Sequence, residues 1–214
     1  MPNITYGFWP APIRDVVIDL KTGLLTAAWQ KWFTELAEEW SFRWDDLRFP
    51  AQGINPPGAA SDPTRSTTNG LLYFSGTADN VIAGVALMPH AWAAGTTVVP
   101  HLHLIFPTSA SANTRWKLEY NTGSVNGNFM HALGTYTTLA TVTVANPANV
   151  LKHVVASFGD LTMTGHKESA IIVWKISRLA NTDALDTDTN ACVLTEFDLH
   201  YQVGKLGTIG EYPT

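Results

Sequence analysis

The apolar residues between positions 27 and 40 recur with the period of an α-helix, and most of this apolar stripe is aromatic. Residues three, four, seven and eleven positions apart lie on one helical face. Thr26 stands at the N-cap position, so the pattern predicts a helix over residues 27–40. A lone helix does not keep such a face in water, so we expect it to pack on its own domain or on another chain. The predicted docking residues are Trp29, Trp32, Phe33, Leu36 and Trp40.

Two stretches without helical or strand periodicity flank this helix. Residues 1 to about 20 are rich in proline, which fixes φ and removes a backbone donor, and this favours an extended arm. Residues 49–69 combine proline, glycine, serine and threonine with few apolar residues, which is typical of a linker or long loop. The chain therefore divides into an arm and docking helix over 1–48, a linker over 49–69 and a larger domain over 70–214.

From position 70 onward the sequence forms short apolar runs that turn residues separate. About eight such runs predict an antiparallel sandwich, whereas a parallel α/β fold would need helical crossovers for which there is no room. The predicted fold class is all-β: a jelly-roll-like antiparallel β-sandwich with an N-terminal extended arm and one α-helix. The runs are LLYFSG, VIAGVALM, TTVVPHLHLIF, RWKLEYN, TYTTLATVTV, LKHVVASF, SAIIVWKISR and CVLTEFDLHYQV.

Apolar and polar residues alternate most clearly in the last run, CVLTEFDLHYQV. We therefore expect one face of this strand to be buried and the other to meet water or a neighbouring chain. The first face is predicted to hold Val193, Thr195, Phe197, Leu199, Tyr201 and Val203, and the second Glu196, Asp198, His200 and Gln202.

Composition narrows the classes of partner. Charged residues make up 14% of the chain, against about a quarter in typical globular proteins, so we expect neutral or partner-covered surface. The eight tryptophans favour the same interpretation, because tryptophan is enriched at interfaces. A net charge of −5 without a basic cluster argues against nucleic acid as the main ligand. No apolar run is long enough to cross a membrane.

The usual signatures of catalysis and of cofactor binding are missing from the sequence. It contains no G-x-S-x-G elbow, no phosphate-binding glycine loop and no H-E-x-x-H. The single cysteine, Cys192, lies in the apolar run ACVL, which predicts a buried, unreactive thiol. We therefore expect neither enzymatic activity nor a bound cofactor.

The stretch PHLHLIF most strongly suggests metal chemistry. A period of two places His101 and His103 on one sheet face about 7 Å apart. The stretch partly resembles the first motif of the cupins, a jelly-roll family of metal enzymes, but Pro107 and Thr108 stand where that motif has its glutamate. The sequence favours partly buried histidines with protein partners. The alternative is a metal site whose third ligand is Glu119, Glu196 or His200.

Longer stretches resemble virion proteins of tailed bacteriophages. MPHAWAAGTTVVPHLHLIF followed by TRWKLEY is similar to a set of these proteins with a Pro-His pair, a glycine turn, Pro-His-x-His and a Trp-x-x-Glu-Tyr strand. ISRLANTDALDTD and TEFDLHYQV are similar to later parts of the same set. PAPIRDVVIDLKTGLLTAAWQKWFTEL resembles the proline-rich arm and Trp-Phe helix at the front of many appendage and decoration proteins.

This resemblance implies a non-enzymatic structural subunit of the virion, in a head decoration, the collar or a tail appendage. It implies a homotrimer that associates through its β domain, and attachment to the capsid, the portal or adaptor, or the tail. Such a protein is assembled in the host cytoplasm and resides in the virion. The alternative is a carbohydrate- or receptor-binding tail module, since jelly rolls include lectins. Trp92 and Trp116 are its candidate residues for contact with a ligand or a second subunit.

Overall fold

The computed structural model describes residue 12 and residues 15–40, 43–147 and 150–204, so most of the predicted proline-rich arm lies outside the described residues. The chain forms two compact units, which meet in the sequence between Arg43 and Trp44.

The first unit contains the predicted helix, α1 (Ala27–Trp40), with the predicted bounds. A tight turn precedes it, in which Ile18 bridges Leu25 and Gly23 has a positive φ of 70°. The carbonyl of Thr26 accepts the first helical hydrogen bond from Gln30, and its hydroxyl donates to the Val16 carbonyl at 2.8 Å. Thr26 is therefore the N-cap by backbone position, and its side chain ties the helix to the preceding turn. No helix in the described part of the chain has the length and apolar character needed to cross a bilayer.

The second unit is a sandwich of two sheets. One sheet has the strand order β2-β3-β10-β5-β8, with β1 also paired to β10, and the other has the order β4-β9-β6-β7. The strands are β1 (Arg43–Pro50), β2 (Thr64–Arg65), β3 (Leu72–Phe74), β4 (Asn80–Leu87), β5 (Val98–Ile105), β6 (Asn113–Gly123), β7 (Thr137–Ala145), β8 (His153–Ser157), β9 (Ile171–Arg178) and β10 (Cys192–Val203).

The connectivity of β3 to β10 is that of a jelly roll. Successive strands change sheets, except between β6 and β7, and the first of these eight strands, β3, pairs with the last, β10. The two sheets enclose one apolar core, in which the largest side chains are Trp92, Trp116 and Trp174. All eight predicted strands are present, and the predicted all-β sandwich with one helix is confirmed.

A β-bulge in β10 changes the predicted alternation. Leu194 pairs with Leu104 and Glu196 pairs with His103, so Thr195 is the extra residue. The bulge brings Leu194 to the same side as Phe197, and both are fully buried. The prediction that Val193 and Thr195 share the core face with Phe197 is therefore wrong, whereas the alternation from Phe197 onward is confirmed.

Part of the predicted linker over 49–69 is built into the sandwich. β1 pairs with β10, and Ala51, which follows it in a 3-10 turn (Ala51–Gly53), is fully buried. The guanidinium of Arg65 donates to the carbonyls of Ala51, Ile54 and Gly70. This segment is held by hydrogen bonds to its backbone carbonyls. Such bonds produce no periodic pattern of apolar residues, so the sequence pattern did not predict them.

Cys192 is fully buried, as predicted, and burial raises the pKa of its thiol far above the usual range. We expect a thiol-specific reagent such as DTNB to leave the folded protein unmodified and to modify one thiol per chain in urea, because reaction requires an accessible thiolate. The absorbance of the released thiolate measures the reaction. Full modification of the folded protein within minutes would contradict this expectation.

Candidate functional site

The six-stranded sheet carries imidazoles and carboxylates on the face turned away from the core. Antiparallel register brings them together: Asp198 of β10 is opposite His101 of β5, and His103 is opposite Val155 of β8, two residues from His153. The intervening residues of β5 and β10 point into the core, which fixes the orientation of this face. We call the group the histidine–aspartate cluster, and its members are His101, His103, His153, Asp198 and His200.

His103 uses both ring nitrogens within this cluster. Its Nε2 lies 2.8 Å from Asp198 Oδ2, and its Nδ1 lies 2.8 Å from His153 Nε2, with the two rings stacked. A neutral His103 protonated on Nε2 satisfies both contacts: it donates to the carboxylate and accepts from His153. His103 therefore holds Asp198 in place.

His101 and His200 also lie beside this carboxylate. His101 Nδ1 lies 3.5 Å from Asp198 Oδ1, and His200 Nε2 lies 3.5 Å from Asp198 Oδ2. The two imidazole rings meet edge to face, with centroids 4.1 Å apart. His200 Nε2 also lies 3.0 Å from Asp46 Oδ1 on β1. Four strand residues from three strands thus converge on one point of the surface.

Two buried polar atoms in this arrangement lack hydrogen bonds. Asp198 is 3% exposed, and among the described residues its Oδ1 has no hydrogen-bond partner. The same is true of Nδ1 of His101. Burial lowers the pKa of His101, and the neighbouring His200 lowers it further, so the neutral imidazole is favoured. Unsatisfied buried polar atoms are uncommon in folded proteins and need a specific explanation.

The three residues predicted as possible third metal ligands are in different situations. Glu196 accepts two hydrogen bonds from the Arg48 guanidinium at 2.5 and 2.6 Å, and this pairing lowers the pKa of Glu196. Glu119 lies on the other sheet; burial raises its pKa, but ion pairs with Lys117 and Lys175 outweigh burial and lower it. Of the three, His200 is the residue whose side chain lies against His101.

The geometry also changes the predicted histidine pair. The sequence pairs His101 with His103 because they are two residues apart, yet both nitrogens of His103 are already engaged. The imidazole that lies beside both His101 and the Asp198 carboxylate is His200. The sequence placed Asp198 and His200 on one face of β10, but spacing does not show which strand lies beside that face.

A hollow of about 440 Å³ opens beside the cluster. Charged and polar side chains make up most of its wall, so it suits a small polar ligand or water better than an apolar one. Its lining residues are Asp46, Arg48, His103, Ile105, His153, Thr195, Glu196 and Asp198.

Trp92 and Trp116 do not lie at a surface. Both are 0% exposed, and their indole N–H groups donate to threonine hydroxyls, Thr96 and Thr114, at 2.9 Å. The Trp116 ring also packs edge-on against Phe74, with centroids 4.8 Å apart. The prediction that these tryptophans contact a ligand or a second subunit is therefore wrong, because both belong to the core. The period of two in RWKLEYN, which pairs Trp116 with Leu118, already indicated an inward direction for Trp116.

The aromatic face of α1 is partly exposed within the first unit. Trp29, Trp32 and Phe33 form a cluster with ring centroids 5.0 to 5.8 Å apart, and the Trp29 N–H donates to the Asp15 carbonyl. Phe33 is 44% exposed, whereas Trp29, Trp32 and Leu36 are half-buried. Trp40 is the last residue of the helix, and its side chain lies outside the described residues.

No protein-family model matches this chain, and no curated protein matches it. Among solved structures, the chain is similar to the CBM27-1 module of Caldicellulosiruptor saccharolyticus in complex with mannohexaose, with 9% identity, a TM-score of 0.35 and coverage of 73% of this chain and 96% of that one. It is similar to the CBM22-1 xylan-binding domain of Paenibacillus barcinonensis Xyn10C, with 14% identity, a TM-score of 0.31 and coverage of 75% and 96%.

A third similar structure is that of infectious bursal disease virus, Gt strain, with 14% identity and a TM-score of 0.34. The match covers 81% of this chain and 34% of that chain. At such low identities and TM-scores, these likenesses support no inference about what this protein binds or where it is assembled.

Proposed function

We propose that this protein is a non-enzymatic structural subunit of a tailed-bacteriophage virion. Residues 1–43 attach it to the capsid, the portal or adaptor, or the tail, and the β-sandwich is the larger domain that this attachment holds on the particle. The sequence resemblance to phage virion proteins supports the assignment to a tailed-bacteriophage particle. The observation that carries the attachment role is the large amount of exposed apolar side chain in the first unit.

This exposure is unusual for so short a segment. Leu20 is 95% exposed, Val16 68% and Leu24 64%, in addition to Phe33 at 44%. Burying a leucine, valine or phenylalanine side chain contributes about 1.5–3 kcal/mol, so covering several of them supplies a substantial binding energy. A second virion protein that presents an apolar groove fits this surface, because the exposed side chains are aliphatic and aromatic.

Self-association of the sandwich as a homotrimer is the second part of the proposal. β4 is an edge strand of the four-stranded sheet, and its Val85 and Leu87 are 58% and 57% exposed. An edge strand with exposed apolar residues is prone to pair with another chain, and closed symmetry lets identical copies cover it.

Attachment is tested with particles that lack this subunit, to which the purified chain is added. We expect the full chain to co-sediment with the particles, and the chain truncated to residues 44–214 to remain in the supernatant with its β circular-dichroism spectrum intact. Phe33→Ser should weaken binding about fivefold, since less than half of the side chain is exposed and burial of that part contributes roughly 1 kcal/mol. Gln30→Ser, an exposed polar position on the same helix, is the matched control.

The attachment role is refuted if the truncated chain or the Phe33→Ser variant binds the particles as tightly as the full chain. Failure of the full chain to bind would have the same consequence.

The oligomeric state is measured separately by sedimentation velocity. We expect the full chain to sediment as three copies, and Val85→Glu to shift it toward the monomer because a buried carboxylate without a partner opposes association. Val155→Glu is the control, since Val155 is similarly exposed, at 51%, but lies on the other sheet. A monomeric full chain, or equal dissociation by both substitutions, would exclude this mode of assembly.

A further inference from the structure

We propose that His101, Asp198 and His200 form a binding site for a divalent transition-metal ion, with Zn²⁺ as the natural occupant. One potential ligand atom from each residue lies within 4.8 Å of the others, on the outer face of the six-stranded sheet. This is the one such grouping of histidine, cysteine and carboxylate side chains among the residues that the structure describes. The inference concerns the second unit and does not depend on the proposed attachment role.

The distances within this group leave room for a metal ion. Zinc–ligand bonds of about 2.0–2.2 Å place neighbouring ligand atoms roughly 3.3–3.6 Å apart in a tetrahedron. His101 Nδ1 lies 3.5 Å from Asp198 Oδ1, which is longer than an ordinary hydrogen bond and matches such a separation. His200 Nε2 lies 3.5 Å from the other carboxylate oxygen, Oδ2, and therefore borders the same space.

The unsatisfied atoms point to the same conclusion. The Asp198 side chain is 4% exposed and the His101 side chain 15%, and Asp198 Oδ1 and His101 Nδ1 face each other without a hydrogen bond. A buried carboxylate oxygen and a buried imidazole nitrogen that share no proton are both available as electron-pair donors. A cation between them would satisfy both atoms at once.

The surroundings orient the ligands as in known metal sites. His103 hydrogen-bonds to Asp198 Oδ2, and His153 hydrogen-bonds to His103, so a chain of two imidazoles fixes the carboxylate. Such outer contacts set the orientation and basicity of metal ligands. Two imidazoles and one carboxylate are a donor set that zinc accepts, with the fourth position left for water or for Asp46, which lies 3.0 Å from His200.

The test uses the untagged full chain after removal of metals with EDTA and gel filtration. Titration with ZnCl₂ at neutral pH in a calorimeter is expected to show about one equivalent per chain, and CoCl₂ is expected to give the visible absorption of tetrahedral Co²⁺. His101→Asn and His200→Asn should each weaken zinc binding by about a hundredfold or more, because each removes a ligand. His103→Gln should weaken it about tenfold to a hundredfold, because it only positions Asp198.

His166→Gln is the control, since it lies outside the cluster and should leave zinc binding unchanged. His153→Gln removes the alternative zinc site formed by the surface pair His103 and His153. Because His153 also supports His103, we expect this variant to retain one equivalent, with an affinity lowered no more than in His103→Gln. Circular dichroism confirms folding; should His101→Asn not fold, the more exposed His200 provides the decisive variant.

The proposal is overturned if the wild-type chain binds no zinc, or if the His101 and His200 variants bind it as the wild type does. It is also overturned if His153→Gln abolishes binding while those two variants retain it. None of these results would bear on attachment to the particle, which is measured through residues 1–43.

Discussion

Substitution of Arg178 by methionine is expected to lower the free energy of unfolding by about 3–5 kcal/mol, as is found when one partner of a buried ion pair is removed. Arg178 is 0% exposed and forms two hydrogen bonds to Asp186, whose side chain is 1% exposed. Its guanidinium also donates to the carbonyls of Phe74, Asp188 and Asn190. The substitution leaves a buried carboxylate without its charged partner, with the Arg115 backbone N–H still donating to it, and leaves these carbonyls without the guanidinium donor. Urea denaturation followed by circular dichroism measures the cost.

Arg48→Met is the matched control. Arg48 forms the same two-point contact with Glu196, but its side chain is 65% exposed, so water replaces the lost partner. We expect Arg48→Met to have a much smaller effect than Arg178→Met. The double substitution Arg178→Met with Asp186→Leu should recover part of the stability, because the uncompensated charge is removed. Similar effects of the two single substitutions would show that burial is not the cause.

Trp116→Ala is expected to destabilise the protein by about 3–5 kcal/mol, because it opens a cavity in a fully packed core. Trp116 is fully buried, packs against Phe74 and donates to Thr114. The same denaturation experiment measures this effect. If Trp116 instead served as a ligand platform, the substitution would reduce binding with little loss of stability.

Trp44→Ala provides the comparison for Trp116→Ala. Trp44 is 52% exposed on the edge of the sandwich, so its truncation should cost less than about 1 kcal/mol. Equal costs for the two tryptophans would contradict the placement of Trp116 in the core.

The helix and the eight jelly-roll strands could be predicted from the sequence because each shows its own local period. The aromatic stripe from Trp29 to Trp40 gives the bounds of α1, and alternation gives the bounds of β10. The same local patterns do not reveal β1, since RWDDLRFP has polar residues on both faces and only Leu47 and Phe49 pack on the core. Nor do they reveal the hydrogen bonds that Arg65 makes to the 51–54 segment.

The candidate metal site could be predicted only in part from local sequence patterns. The spacing of His101 and His103 identified the correct strand and face, and the alternation in β10 put Asp198 and His200 on one side of it. The partner of each side chain depended on the pairing of two strands nearly a hundred residues apart, with a bulge at Thr195 that resets the register. Which distant strands pair, and in which register, depends on how both faces of the sheet pack. The spacing of residues within one strand therefore does not predict its partner.

By itself the sequence determined the fold class, the helix with its aromatic face and the burial of Cys192, because each follows from the period or composition of a short segment. Only the tertiary structure decided that Trp92 is a core residue, that Arg178 and Asp186 form a buried pair, and that His200 joins His101 at Asp198. The reason is physical: periodicity reports which side of a segment avoids water, whereas contacts between segments arise when the two sheets close over one core.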